Sequence, residues 1–127
     1  MSEPPPVETR MCQFVLPGDT NHLGTLYGGT LMAWMDSAAA VAGVRRAGSA
    51  AVVTAAVDGL TFRVAIRQGE LVELLSVVES VGRTSMKVRV EVHREDPATH
   101  DRELCTVGTF TMVAVDEHGA PAPVRPL

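Results

Sequence analysis

Aromatic residues are scarce in this chain: three Phe, one Trp and one Tyr, or 4% of its residues. Its core must therefore rest on Val, Ala, Leu and Met. Cysteine is scarcer still. Cys12 and Cys105 have no Cys/His ligand spacing around them, so no metal site is expected, and both read as reduced fillers of a core or an interface. Long apolar runs are missing, since the longest, from Ala38 to Val44, is far too short to cross a bilayer. The opening Met1-Ser-Glu-Pro-Pro-Pro-Val lacks the basic and apolar regions of a signal peptide. These absences lead us to expect a cytoplasmic protein with no membrane partner. No block of like charges reaches five residues, the net charge is −4, and the basic residues form no patch. That argues against nucleic acid, because phosphate backbones are bound by clustered Lys and Arg. No G-x-S-x-G elbow, HExxH helix or phosphate-binding P-loop is present.

What is there suits one folded domain. The chain has 127 residues, 46% of them hydrophobic and 20% charged, which is a globular balance and not a disordered one. A chain this long buries roughly two thirds of its unfolded surface. Residues 1–9 are Pro-rich and polar and are expected to form a flexible arm; residues 10–117 form the domain; residues 118–127 form an irregular tail. Arg10 to Leu16 reads as a first strand, stopped by Pro17-Gly18-Asp19. Thr30 to Arg46 reads as a helix, rich in Ala, with two cations in its last turn and Gly48 as its stop.

Four strands follow. Ala51 to Val64 and Glu70 to Val81 are the first two. In Thr84 to Glu95, Met86, Val88, Val90 and Val92 alternate with Lys87, Arg89, Glu91 and His93, which gives one buried face and one wet face. Leu104 to Val115 is apolar on both faces and reads as a central strand. The order is strand, long helix, four strands: an α+β fold with one antiparallel sheet and one central helix. One helix covers only one face of such a sheet, so at least a dimer is expected.

One segment concentrates the chemistry. Asp19 to Asp36 places a polar loop, a glycine pair and an apolar helix in succession, with a carboxylate inside the helix. Asp36 lies about two turns in, too far for a cap, and nearly every residue from Leu31 to Val44 is apolar or small. The helix is thus expected to be buried nearly all round. Burying an unpaired carboxylate costs at least several kcal/mol, against a mid-helix propensity penalty of roughly 0.5 kcal/mol. Such a site would raise the carboxyl pKa and make Asp36 a better base. Gly28 and Gly29 sit at the helix start, where absent side chains let a carbonyl approach free N–H groups and the positive end of the dipole.

Asn21 by itself is an ordinary turn residue, and its interest comes from lying just before the glycine pair. The four histidines offer less. His93 lies on a polar strand face, His100 and His118 lie in turns, and His22 is near the loop without further support. Cys105 in a central strand reads as an inert thiol. Gly82-Arg83-Thr84-Ser85 joins two strands, and a turn with an Arg, two hydroxyls and free N–H groups is either a plain turn or a phosphate holder.

Pro17-x-Asp19-x-Asn21-x-x-Gly24-x-x-Tyr27-Gly28-Gly29, followed by Met35-Asp36, resembles the hot-dog acyl-CoA thioesterases. It looks like the cytosolic brain acyl-CoA hydrolase type and its single-domain bacterial relatives. The resemblance runs on through Val53-Thr54, Val57-Asp58, Phe62 to Gly69, Val81 to Met86 and Phe110 to Asp116, covering about residues 12–117. It implies a long central helix wrapped by a curved five-stranded antiparallel sheet. It implies a homodimer joined edge to edge, often assembled into a hexamer, with the active site at the dimer interface. Asn21 and Asp36 would be the catalytic pair, contributed by opposite subunits. Arg83, Thr84 and Ser85 would wall the CoA groove. Phe62 is followed by Arg63-Val64-Ala65 where many relatives have a Pro, a departure that bears on the acyl pocket or strand bend and not on the catalytic pair.

The mechanism this implies is thioester hydrolysis without a cofactor. The Gly28-Gly29 amides hold the thioester oxygen, Asp36 acts as general base or nucleophile, and Asn21 orients the water or the carbonyl. Two other readings stay open. A hydratase or dehydratase of acyl thioesters would pair an acid with a nearby His, and no His lies in this helix. A non-catalytic acyl-CoA-binding module would need the groove but no buried carboxylate.

Overall fold

In the computed structural model, which describes residues 8–48 and 51–125, one helix lies against a five-stranded antiparallel sheet. The elements are β1 (Glu8–Phe14), a single 3-10 turn (Pro17–Asp19), α1 (Gly28–Ala47), β2 (Val52–Asp58), β3 (Leu71–Val81), β4 (Ser85–Glu95) and β5 (Arg102–Ala114). Strand order across the sheet is β1-β3-β4-β5-β2. The helix therefore carries the chain from one edge strand to the other. Register shifts at Thr54/Ala56, Val78/Ser80 and Val92/His93 put an irregularity into three of the four ladders. Each such bulge bends its strand and sharpens its twist, which curves the sheet around the helix.

The core follows the period-two pattern of β4. Met86, Val88, Val90 and Val92 are all buried, and each such side chain contributes about 1.5–3 kcal/mol by leaving water. α1 meets them with Leu31, Met35, Ala38, Ala39, Ala42, Gly43 and Ala47. That spacing is one helical stripe, and its small residues let the helix approach the sheet closely. Polar links fasten the two layers. Ser76 Oγ, fully buried, donates to the Ala38 carbonyl at 2.9 Å, and Arg45 Nη1 donates to the buried Thr9 Oγ1 at 3.2 Å.

Several sequence expectations need correction. α1 is not buried all round. Gly29, Met32, Ala33 and Ser37 are exposed and Asp36 is half-buried, because a single sheet covers only one stripe of a helix. The long strand expected from Ala51 to Val64 ends at Asp58. Gly59 takes a φ of 67°, in the left-handed region, and the chain leaves the ladder there. It then crosses β5 through Arg63 N–H donating to the Cys105 carbonyl at 3.2 Å and Thr106 Oγ1 donating to the Thr61 carbonyl. A cleft of about 200 Å³ lies there, walled by Gly59, Thr61, Arg63 and Leu104 among others. β5 is an interior strand, as its composition suggests, but the central one is β4.

β1 begins at Glu8, inside the stretch assigned to the arm, and residues 1–7 of that arm lie outside the described residues. Past Asp116 there is no regular strand or helix among the described residues, yet the tail docks. Ala122 N–H donates to the Ala114 carbonyl, Val124 N–H donates to the Arg83 carbonyl, both at 2.8 Å, and the Val124 side chain is buried. Residues 126 and 127 lie outside the described residues.

Candidate active site

The loop before α1 is held by its own polar groups. Asp19 Oδ2 accepts the Leu16 N–H at 2.9 Å, and the Asp19 carbonyl accepts the Tyr27 N–H at 3.1 Å. Asn21 Oδ1 accepts three hydrogen bonds, from Leu23 N–H at 2.9 Å and from Thr25 N–H and Oγ1 at 3.1 Å each. Two backbone donors fix which end of the amide is oxygen. The Asn21 Nδ2 group is left with no hydrogen-bond partner among the described residues. Asn21 is thus the organiser of its loop and also presents a free donor.

Gly28 and Gly29 are the first two residues of α1, two positions earlier than the sequence reading starts it. Tyr27 stands at the cap with no side-chain hydrogen bond, and the first helical bond is Leu31 N–H to the Tyr27 carbonyl at 3.0 Å. The N–H groups of Gly28, Gly29 and Thr30 consequently have no partner among the described residues. Those are the orphan donors of a helix start, reinforced by the helix dipole. A Cβ on Gly29 would meet nothing within 4 Å, so the approach to its amide is open. A Cβ on Gly28 would touch the Phe62 ring at 3.4 Å.

Asp36 sits two turns further along on the exposed stripe. Thr54 Oγ1 on β2 donates to its Oδ1 at 2.5 Å, and Thr54 Oγ1 also lies 3.4 Å from Met112 Sδ. The hydroxyl has one proton, and the carboxylate is the stronger acceptor, so the sulfur contact is one of packing. Within one chain no hydrogen bond joins Asn21 to Asp36 among the described residues. The sequence reading assigns no role to Thr54. Its place against Asp36 depends on β2 pairing with β5, where Thr54 faces Met112.

Arg83 and Thr84 lie in the turn between β3 and β4, and Ser85 is the first residue of β4. The turn is closed by Gly82 N–H donating to the Ser85 carbonyl at 2.8 Å, and the Thr84 carbonyl accepts Ala114 N–H at 2.9 Å. It lies at the C-terminal end of α1, away from the glycine pair, and next to the docked tail. His22 is exposed, His100 faces Glu95, and His118 faces Glu117. Cys105 is buried, and burial pushes its thiol pKa up. Cys12 is exposed instead of filling the core.

The profile of the thioesterase superfamily matches residues 23–100. The chain belongs to that superfamily. An uncharacterised acyl-CoA thioester hydrolase of Bacillus subtilis, YkhA, is 39% identical over 125 residues, spanning 92% of this chain and 72% of the relative. Among solved structures, a hexameric acyl-CoA thioesterase in its apo form is 45% identical with a TM-score of 0.88, over 94% of this chain and 78% of that one. The acyl-CoA hydrolase of Staphylococcus aureus, in complex with butyryl coenzyme A, coenzyme A and coenzyme A disulfide, is 36% identical with a TM-score of 0.85, over 92% and 71%. These thioesterases share the hot-dog fold, and the described part of this chain has it too. Variants of the S. aureus enzyme with an Asn, an Asp or a Thr replaced by alanine have also been solved. Its Asn and Asp are separated by the same number of positions as Asn21 and Asp36 here.

Proposed function

We propose that this chain hydrolyses acyl-CoA thioesters to a carboxylic acid and CoA, at sites shared between two subunits. The observation that carries this reading is the Thr54–Asp36 hydrogen bond, in a chain of the thioesterase superfamily. The hydroxyl holds one carboxylate oxygen and leaves the other free to act. Asp36 takes a proton from water as the water adds to the thioester carbon, or attacks that carbon itself to give an anhydride that water then opens. In both routes the C–S bond breaks and CoA leaves as the thiol. The Gly28 and Gly29 amides receive the negative charge that develops on the carbonyl oxygen. The free Nδ2 group of Asn21 orients the water or the carbonyl of a site whose Asp36 comes from the other subunit. Arg83, Thr84 and Ser85 wall the groove for CoA.

Sharing between subunits is supported by what one chain leaves open. Met32 on α1 and Val53 on edge strand β2 are large apolar side chains in water, and they flank Asp36 and Thr54 in the sequence. The cleft formed by one chain contains none of the proposed site residues. A second copy laid along β2 would cover that apolar surface and desolvate Asp36. The assembly is a homodimer, built further into a hexamer as a trimer of dimers. A cytoplasmic location fits two free thiols, Cys12 and Cys105, since a reducing compartment keeps them so.

The test follows free thiol release from acyl-CoA substrates of increasing chain length. Wild type should turn over at least one class. Asp36→Asn should lose about 10²–10⁴-fold, the range for a positioned base, with its unfolding curve unchanged. Hydrolysis by Asp36→Asn near the wild-type rate would rule the mechanism out.

A further inference from the structure

The cleft beside β5 lies where that strand runs out of ladder. β2 pairs with β5 only as far as Asp58 opposite Thr109. The crossing segment that follows meets β5 again through the Arg63 N–H and the Thr61 carbonyl. Between those links and the end of the ladder, no hydrogen bond joins the segment to Val107. The two backbones stand apart there, and the gap is the cleft.

Side chains of the crossing segment go two ways. Leu60 Cδ1 is 3.2 Å from a Cβ built on Gly108, which also meets Met35 of α1, and Phe62 is 3.4 Å from one built on Gly28. Gly59, Thr61 and Arg63 alternate with them and line the cleft. On β5, Gly108 and Phe110 are buried toward the helix, while Val107 and Thr109 are half-buried. The cleft therefore opens on the face of the sheet away from α1 and Asp36.

Its walls are of two kinds. Arg63 is the one charged residue in the lining, and no carboxylate is there. Asp58 faces Thr109 across the ladder without being part of that lining. The Arg63 guanidinium and the Thr61 and Thr109 hydroxyls bond to no other described residue, so all three can turn to a guest. Leu104, a large apolar side chain 46% exposed, and Val107 supply an apolar wall. The volume of about 200 Å³ is below the roughly 300–1,000 Å³ of pockets for drug-sized ligands, so the guest is small. A guanidinium meets a carboxylate with two parallel N–H bonds, and a short hydrocarbon leaves water against Leu104 and Val107.

We propose that this cleft is a second binding site, on the far face of the sheet, for a short-chain carboxylic acid. Arg63 and the two hydroxyls take the carboxylate, and Leu104 and Val107 take the hydrocarbon. The site does not depend on hydrolysis at Asp36, although hydrolysis of short acyl-CoA would supply such acids.

The experiment is calorimetric titration of the full chain with butyrate, acetate, n-butanol and inorganic phosphate. It is run on wild type, Arg63→Gln, Leu104→Ala and Asp36→Asn. Arg63 and Leu104 are exposed, so their variants should unfold as wild type does. Butyrate should bind wild type and Asp36→Asn alike, and about tenfold more weakly to Arg63→Gln, the scale of one lost hydrogen bond to a charged group. Leu104→Ala should weaken butyrate about fourfold, the scale of one CH₂ returned to water, and leave acetate unchanged. Butyrate binding that is absent, or that survives intact in Arg63→Gln, overturns the proposal. So does a loss in Asp36→Asn in place of Arg63→Gln, which would put the acid at the Asp36 site. n-Butanol bound as tightly as butyrate would deny the cleft a carboxylate, and phosphate bound as tightly would deny it the hydrocarbon; either also overturns it.

Discussion

Thr54 on β2 and Asp36 on α1 are joined by a hydrogen bond of 2.5 Å, which ties an edge strand to the exposed stripe of the helix. The bond aims the carboxylate and occupies one of its oxygens. Thr54 is exposed in the single chain, so its hydroxyl is not needed to satisfy a buried group. Its partner suggests a role in orienting Asp36.

Thr54→Val keeps the side-chain shape and removes the donor. We expect turnover to fall about 10–100-fold, the equivalent of one hydrogen bond to a charged group, with little change in the thermal midpoint. Thr54→Ser should recover most of the rate. Steady-state thiol-release kinetics check both, and a Val variant as fast as wild type would deny Thr54 any part in orienting Asp36.

Asn21 has two separable roles. Asn21→Asp keeps an acceptor for the Leu23 and Thr25 donors but loses the Nδ2 donor. It should leave stability near wild type while turnover falls about 10²-fold, as for loss of one preorganised donor. Asn21→Ala should in addition loosen the loop, read as faster amide exchange at Leu23 and Thr25.

Mixing tests whether each site draws on two chains. Co-refolded Asn21→Asp and Asp36→Asn chains should regain part of the activity that each lacks alone, because one site of each mixed dimer would be intact. No recovery in demonstrably mixed dimers would place Asn21 and Asp36 of the same chain in the same site.

Gly43 lies where α1 meets the sheet. A Cβ there would come within 3.0 Å of Val52 Cγ1 and 3.6 Å of Met112 Cβ. Val52 is β-branched and stiff at χ1, so it yields poorly. Overpacking costs about 1–3 kcal/mol, against about 1 kcal/mol of helix propensity gained by Ala. Gly43→Ala should therefore lower stability by about 1 kcal/mol in urea unfolding.

The thiols should separate by access. Burial pushes the Cys105 pKa up, and the thiolate is the reactive form, so Cys105 should label only after unfolding. Burial, then Glu73 and Glu95, also push up the pKa of the exposed Cys12. It should label in the native state, slowly at neutral pH and faster as pH rises. A disulfide-exchange reagent followed by absorbance gives both rates.

Local pattern made much of this legible in advance. The alternation in β4, the Ala-rich helical run of α1 and the Gly48 stop are set within a few residues of one another, so period and end signals suffice. The glycine pair and Asp36 stood out for the same reason: their oddness is local. The end of β2 at Asp58 was hidden, because the apolar and β-branched residues continue to Val64 while Gly59 turns the chain away.

By itself, then, the sequence determined the element order, the buried face of the sheet and a carboxylate two turns into a glycine-headed helix, all products of short-range periodicity and steric preference. Only the tertiary structure decided that Thr54 holds Asp36, that one stripe of α1 stays open, and that the tail ends on Arg83. Each of these depends on which strands pair and in what register, with β2 beside β5 and β1 beside β3. Such pairing is a contest among long-range contacts, and no local run of residues records its outcome.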